Sequence, residues 1–293
     1  MDVDGGFVSS TPSMCIDADG DLIVCVRYVN YHIDANGGYV NREHITTKNV
    51  IRTILGGGTV SADKPWESNG ISGTECELCY DESYNGRYVG IEDVRIMCHG
   101  GDILYNGNRG FADSTKRPGA PHNASLTMGV EHGKIRWKSG EVRAEDSRIL
   151  YYEKERERNL EKNWVLFSGH GLGKNGKGTL KCIYKWNPLT IGTIDGDGDG
   201  IFYETHRMTS VPQFFHDLRG STNGVTIGDS IWFICHIVSY EDRRYYYHCV
   251  VVLDRDSLAL KSYTPLWSFE KEKVEYTLGF IYFEETDQLM ISY

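Results

Sequence analysis

Four stretches of the sequence put ionisable or hydrogen-bonding side chains where apolar ones belong. In Leu22–Val29 (LIVCVRYV) Arg27 interrupts a run of β-branched and aromatic residues, and Asn30 and Tyr31 follow it. A guanidinium inside a strand core pairs with a carboxylate or an anion, because an unpaired buried charge is too costly. Gly90-Ile91-Glu92-Asp93-Val94-Arg95-Ile96 sets two carboxylates and an arginine at the head of a second apolar run. Paired carboxyl groups are the raw material of general acid–base chemistry, and a neighbouring cation decides which of them stays charged. Glu161-Lys162-Asn163-Trp164 adds a cation, an amide and an aromatic ring, and Arg219-Gly220-Ser221-Thr222, His236 after IWFIC and Tyr246 ahead of VVVLD complete the set. Each stretch alone has a structural reading: ion pairs, a satisfied histidine, a sheet tyrosine. Gathered in one place they would supply an acid, donors for an anion, and aromatic faces of the kind that stack on sugars.

The elements that must do the gathering read as strands almost throughout. Leu22–Val29, Val94–Met97, Leu180–Tyr184, Ser230–Val238, Tyr245–Leu253, Thr277–Phe283 and Gln288–Tyr293 are short runs rich in β-branched and aromatic residues. Asp-Gly and glycine-rich turns punctuate them at Asp17–Gly20, His99–Asp102, Gly173–Gly178, Asp195–Gly200 and Ser221–Gly224, which reads as hairpins. Glu153–Lys162 (EKERERNLEK) alone has helix-like charge spacing, and it reads as a solvated helical turn or a charged loop. No linker divides the chain. A weak strand–turn–strand–loop pattern recurs roughly every 50–60 residues, giving about five four-stranded sheets; set radially they form a five-bladed β-propeller, with a two-sheet sandwich as the alternative.

Composition narrows the function classes. The 293 residues carry 31 Lys+Arg against 41 Asp+Glu, a formal charge of −10. That balance disfavours nucleic acid and anionic membranes as partners, since both demand a positive surplus. No apolar run approaches the ~18–20 residues of a membrane span, and residues 1–20 lack the pattern of a secretory signal. With 33 Gly and 19 Tyr against 7 Pro, the chain suits many short strands joined by glycine turns. Five of its eight cysteines (Cys25, Cys98, Cys182, Cys235, Cys249) fall inside apolar strand runs and read as buried reduced thiols, which favours a cytoplasmic setting. Asn123-Ala124-Ser125 matches a glycosylation sequon, a triplet that also arises by chance.

Three motifs imitate cofactor sites. Gly171–Thr179 resembles a phosphate-binding loop, but Gly178 stands where the Mg²⁺-holding hydroxyl belongs, and a strand rather than a helix follows. Asp195–Gly200 starts like a calcium loop, yet His206 takes the place of its bidentate glutamate. Cys76-Glu77-Leu78-Cys79 is a single CxxC that needs Cys98 and His99 to make a zinc site, and such pairs are common by chance. No metal or organic cofactor is expected.

In their order along the chain, the polar stretches resemble the five-bladed β-propeller glycosidases, closest to the β-mannoside phosphorylases and hydrolases of glycoside hydrolase family 130. Thr11-Pro12-Ser13 with the Arg27 strand is similar to the family's Asn-Pro-Ala/Ser opening, and Gly90–Ile96 to Gly-x-Glu-Asp-Pro-Arg-Ile. Arg219–Thr222, the strand ending at His236, Tyr246–Asp254 and Glu275–Phe280 are similar to its later motifs in the same order. The resemblance implies a funnel at the propeller axis that takes an oligosaccharide or glycan. It gives Asp93 the role of general acid on the glycosidic oxygen. In a phosphorylase, inorganic phosphate would be the co-substrate, held by Arg27, Lys162, His236 and Tyr246, with Asn30, Tyr31, Arg95, Asn163, Trp164, Arg219 and Ser221 as further substrate- or phosphate-binding residues. In a hydrolase a second carboxylate would activate water, and Glu275 is the candidate. Val94 replaces the motif's proline, Thr11 its asparagine, and Asn223-Gly224 its Pro-Pro. The expectation is one propeller domain over residues 1–293, shorter than the family's pattern at both ends. A glycan-binding propeller without catalysis, including one that accompanies a glycosyltransferase, is the alternative.

Overall fold

The computed structural model describes residues 6–34, 39–40, 44–55, 71–111, 127–155, 160–172, 178–194, 199–272 and 274–293. These residues form an all-β molecule with no α-helix among them; short 3₁₀ turns stand at Glu82–Tyr84, Glu153–Glu155 and Gln213–His216. The chain folds as successive antiparallel meanders. In the first, β1 (Val8–Ile16) and β2 (Leu22–Val29) are followed, past the small hairpin of β3 (His32–Ile33) and β4 (Tyr39–Val40), by β5 (Ile45–Ile54) and β6 (Ile71–Cys79). A short β7 (Tyr88–Val89) pairs in parallel with β5 and leads into the second meander of β8 (Ile91–His99), β9 (Asp102–Phe111), β10 (Thr127–Lys138) and β11 (Glu141–Leu150). The third is β12 (Val165–Leu172), β13 (Gly178–Trp186), β14 (Leu189–Ile194) and β15 (Phe202–Met208). In the fourth, β16 (Arg219–Gly220) and β17 (Val225–Ile227) share one edge of β18 (Ser230–Tyr240), followed by β19 (Arg244–Asp254) and β20 (Leu260–Tyr263). The hairpin of β21 (Gly279–Phe283) and β22 (Gln288–Ser292) ends the chain, two strands where the repeat leads one to expect four.

Every strand expected from the sequence is present, and each overlaps an observed element. A strand, β13, follows the glycine-rich stretch where a phosphate-binding loop would need a helix; residues 173–177 of that stretch lie outside the described residues. Asp195–Gly198 and Asn123 lie outside the described residues. All eight cysteines are free thiols, and no helix among the described residues is long and apolar enough to cross a membrane.

The first two meanders join into one nine-stranded sheet, since β6 pairs in parallel with β11, and apolar cores lie between consecutive meanders. Cys25, Ile51, Ile91 and Tyr105 join the first to the second; Met97, Leu104, Trp164 and Tyr184 the second to the third; Phe167, Trp186, Phe233 and Cys249 the third to the fourth; Met14, Leu22 and Ile281 the last hairpin to the first. The first strands of the meanders meet in a ring. β1 packs on β8 and β21, β17 on β12 and β21, and His99 of β8 lies 2.8 Å from Ser168 Oγ of β12. The closure at β1 and β21 depends on Gly279, where a Cβ would fall 2.7 Å from the Met14 nitrogen, and Ser292 Oγ donates across the seam to Pro12 O at 2.8 Å.

Candidate functional site

A cavity of about 760 Å³, within the roughly 300–1,000 Å³ range of small-ligand pockets, opens at one end of this ring. The head of each meander contributes to it: Thr11 of β1, Asp93 of β8, Asn163 just before β12, Arg219 of β16 and Tyr276 just before β21. Residues distant in sequence therefore converge because all the meanders enter the ring from the same end.

Asp93 reaches the cavity through a defect in its strand. The β8–β9 register runs from Glu92 opposite Asn108 to Arg95 opposite Asn106, so one extra residue sits on β8. Asp93 occupies this bulge with a φ of +53°, a left-handed conformation that costs other residues of order 1–3 kcal/mol and is easiest for Asp, Asn and Gly. In a regular strand neighbouring side chains point to opposite faces. Here Glu92 and Asp93 both line the cavity, as expected of a bulge that re-aims a side chain. The turn into the strand is fixed by Gly90, whose φ is +92° and whose Cβ would fall 2.1 Å from Thr47 O.

Arg27, 6% exposed in the middle of β2, donates to Asp93 Oδ1 at 2.5 Å and lies 3.7 Å from Glu92. Its other amino group donates to Tyr31 Oη at 3.2 Å. Asn108 donates to Asp93 Oδ2 at 3.0 Å, and Lys162 sits 3.6 Å from Glu92. On the far wall Arg219 faces His236 across the β16–β18 ladder, and Tyr246 of β19 stands diagonal to His236, ring centroids 5.4 Å apart. Burial, reinforced by Arg219, His248 and Arg95, holds His236 well below the usual histidine range, so it is a neutral donor–acceptor at pH 7. Ser221 Oγ lies 2.7 Å from its Nδ1 and fixes the ring. Arg219 has no carboxylate partner among the described residues.

Of the residues singled out from the sequence, Asp93, Arg27, Tyr31, Lys162, Asn163, Arg219, His236 and Tyr246 line the cavity. The other five stand behind or beside it. Asn30 ties β2 to the segment entering β5, donating to His44 O and accepting from the Thr46 N–H. Trp164 is a core residue packed edge-on to Tyr184, with its indole N–H on Glu161. Ser221 acts through His236. Glu275 takes three backbone N–H bonds, from Phe269, Glu270 and Glu272, each at 2.7 Å, and this carboxylate organises a loop at the rim instead of facing the cavity. Arg95 is fully buried beneath the floor. Its Nη1 donates to Asp93 O at 2.9 Å, its Nε to Ser221 O, and its Nη2 to Tyr276 Oη at 2.8 Å, Gly220 O at 3.2 Å and Asn163 Oδ1 at 3.4 Å.

Glu92, Arg244, Glu272, Tyr276 and Tyr293 also line the cavity. Arg244 was legible as the residue two before Tyr246 on the same face of a strand; nothing in the sequence marks Glu272. Burial raises the Tyr276 phenol well above its ordinary range, so it stays protonated and donates to Asn163 Oδ1 at 3.2 Å. Among the described residues no group of three His, Cys, Asp or Glu could hold a metal ion.

Known structures share this fold. A β-1,2-mannobiose phosphorylase from Listeria innocua, in complex with β-1,2-mannobiose, superposes with a TM-score of 0.54 at 12% identity over 100% of this chain and 91% of its own. A glycoside hydrolase family 130 protein, described in connection with β-1,2-mannosidic linkages in Candida mannan, gives 0.53 at 12% identity over 97% and 83%. A GDP-Man-dependent mannosyltransferase from Leishmania mexicana gives 0.50 at 13% identity over 96% and 81%. No family model and no curated protein matches the sequence. The chain thus has the fold of the family 130 mannoside phosphorylases and is strongly divergent from them in sequence, as the motif order implied.

Proposed function

We propose that this chain is a five-bladed β-propeller that cleaves β-linked mannosides by phosphorolysis, with Asp93 as the general acid. The blade reading is supported by the ring of first strands and by a second cavity of about 290 Å³ whose lining includes Met14, Met97, Ser168, Val225 and Phe280, one residue from each of the four meanders and one from the last hairpin. The observation that carries the functional reading is the convergence of Asp93 with Arg27, Lys162, Arg219, His236 and Tyr246 in one cavity of an acidic protein. Two guanidinium groups, an ammonium, an imidazole and a phenol suit a phosphate oxyanion. Phosphate attacks the anomeric carbon, the glycosidic C–O bond breaks, and Asp93 delivers its proton to the departing sugar oxygen. The anion also draws on Arg27, releasing Asp93 from its ion pair to carry that proton. Hydrolysis is the weaker reading, because Glu275, its candidate base, is committed to three backbone N–H groups.

β-1,2-Mannobiose with inorganic phosphate is the first substrate to assay, because it is the named ligand of the similar structure. Mannose-1-phosphate should appear only when phosphate is present. Asp93→Asn should lower its rate by about 10²–10⁴-fold, the usual contribution of a positioned acid, while sugar binding persists, because asparagine also tolerates the left-handed bulge. Free mannose without phosphate would replace phosphorolysis by hydrolysis. Sugar binding with no turnover would make the protein a glycan-binding propeller.

A further inference from the structure

The rim of the cavity carries an aromatic face that the chemistry of phosphate and acid does not use. Tyr293 lines the cavity yet is 52% exposed, whereas Tyr276 and His236 in the floor are 9% and 2% exposed. One face of its ring lies flat on Phe269, with centroids 3.9 Å apart and planes at 3°. Phe269 in turn meets Trp267 edge-on at 4.8 Å. The Tyr293 hydroxyl donates to Glu270 Oε1 at 3.2 Å, which holds the outer end of the ring in place. Phe269 and Glu270 are themselves pinned, since their backbone N–H groups bind the buried Glu275 carboxylate. A half-exposed tyrosine is ordinary; one held on a stack, by its hydroxyl and by the loop beneath it is pre-organised for a ligand.

We propose that the free face of Tyr293 is a stacking platform for the outer sugar ring of the substrate, the ring that departs when the bond above Asp93 is cut. This rests on the reading of the cavity as a glycoside site. A pyranose has an apolar C–H face and a polar edge, and an aromatic ring at the mouth of a polar cavity matches both, because Glu272 and Arg244 line the same cavity and can meet the hydroxyls. The substrate is then at least a disaccharide, its inner ring among the polar groups of the floor and its outer ring on Tyr293. Glu275 is a positioning residue for this platform.

Calorimetric titration of wild type, Tyr293→Ala and Tyr293→Phe with mannose and with β-1,2-mannobiose, in phosphate-free buffer, tests the assignment. The alanine variant should bind mannobiose about ten-fold more weakly and mannose unchanged, and the phenylalanine variant should recover most of the loss because the ring is retained. Equal mannobiose affinity in wild type and Tyr293→Ala overturns the platform and leaves the glycoside reading intact. An equal loss for both sugars also overturns it, since Tyr293 would then serve the inner ring. Failure of wild type to bind either sugar removes the glycoside reading, and the platform with it.

Discussion

Replacing Arg95 by methionine is expected to lower the free energy of unfolding by about 3–5 kcal/mol and to abolish turnover in the same protein. Its guanidinium bonds carbonyl oxygens of Asp93, Gly220 and Ser221 and the side chains of Asn163 and Tyr276, so it joins the second, third and fourth meanders to the segment entering the last hairpin. A methionine fills much of the volume but takes a buried donor from each of these acceptors, at about 1–3 kcal/mol for each that finds no replacement, while Asn163 Oδ1 keeps the Tyr276 hydroxyl. The catalytic loss has a separate cause: the left-handed bulge that aims the acid loses the guanidinium bond to its Asp93 carbonyl. Arg95→Lys should be intermediate in both respects, since one ammonium cannot span the planar fork that five acceptors define. Urea unfolding at pH 7.5 measures the first effect, and release of mannose-1-phosphate the second. A methionine variant within about 1 kcal/mol of wild type would show that the ring closes without this guanidinium, and Arg95 would no longer count as its brace.

Arg95 also marks the boundary of what the sequence could convey. Its neighbourhood was recognisable, because an arginine among Ile91, Val94 and Ile96 must have partners, but the sequence could not tell an arginine that faces a ligand from one that braces the floor. The difference is made by the bulge at Asp93, which shifts the alternation of β8 by one residue. Strict alternation would put Asp93 and Arg95 on one face and Glu92 on the other; the bulge brings Glu92 and Asp93 into the cavity and sends Arg95 beneath it. Glu275 shows a related limit. The sequence marks a carboxylate in a polar motif but not the donors it meets, and this one accepts from loop N–H groups three to six residues upstream.

Strands such as Leu22–Val29 and Ser230–Val238 were legible because they are nearly continuous runs of β-branched and aromatic residues, which the fold buries on both faces. Among the strands the sequence did not mark is one whose polar residues are satisfied inside the fold. β9, with the sequence DILYNGNRGF, is buried along nearly its whole length, because Asn106 donates to Trp164 O and Arg109 pairs with Glu131 at 3.3 Å. Composition alone reads such a segment as a loop. Long-range bonds make it a central strand, and those bonds belong to the fold rather than to any local pattern.

Acid should destabilise this protein well above the pH at which its carboxylates titrate. Burial holds His132 and His248 down at about 4, and drives His236 well below its ordinary 6.5. His132 is kept neutral beside Arg148, His99 and Lys134, with its Nδ1 2.8 Å from Tyr105 O; His248 lies between Trp267 and Phe269, where only Glu275 favours its charged form. The sign follows from proton uptake. Below pH 6.5 the unfolded chain protonates these rings while the folded protein does not, so stability present at pH 7.5 is lost as the pH falls toward 4. A depression from 6.5 to about 4 corresponds to about 2 kcal/mol lost per histidine by pH 5, hence about 4 kcal/mol for His132 and His248 together, with His236 adding in the same direction. Urea midpoints at pH 7.5 and 5.0 report the sum. His132→Gln, whose amide can still donate to Tyr105 O, should shrink the gap between them by about 2 kcal/mol, because glutamine does not titrate in either state. If wild type is as stable at pH 5.0 as at 7.5, these rings are not kept neutral by the fold. The reading of His236 as an uncharged phosphate ligand then fails too, since the same dry surroundings that resist acid are what let a neutral imidazole face an anion without a counter-charge of its own.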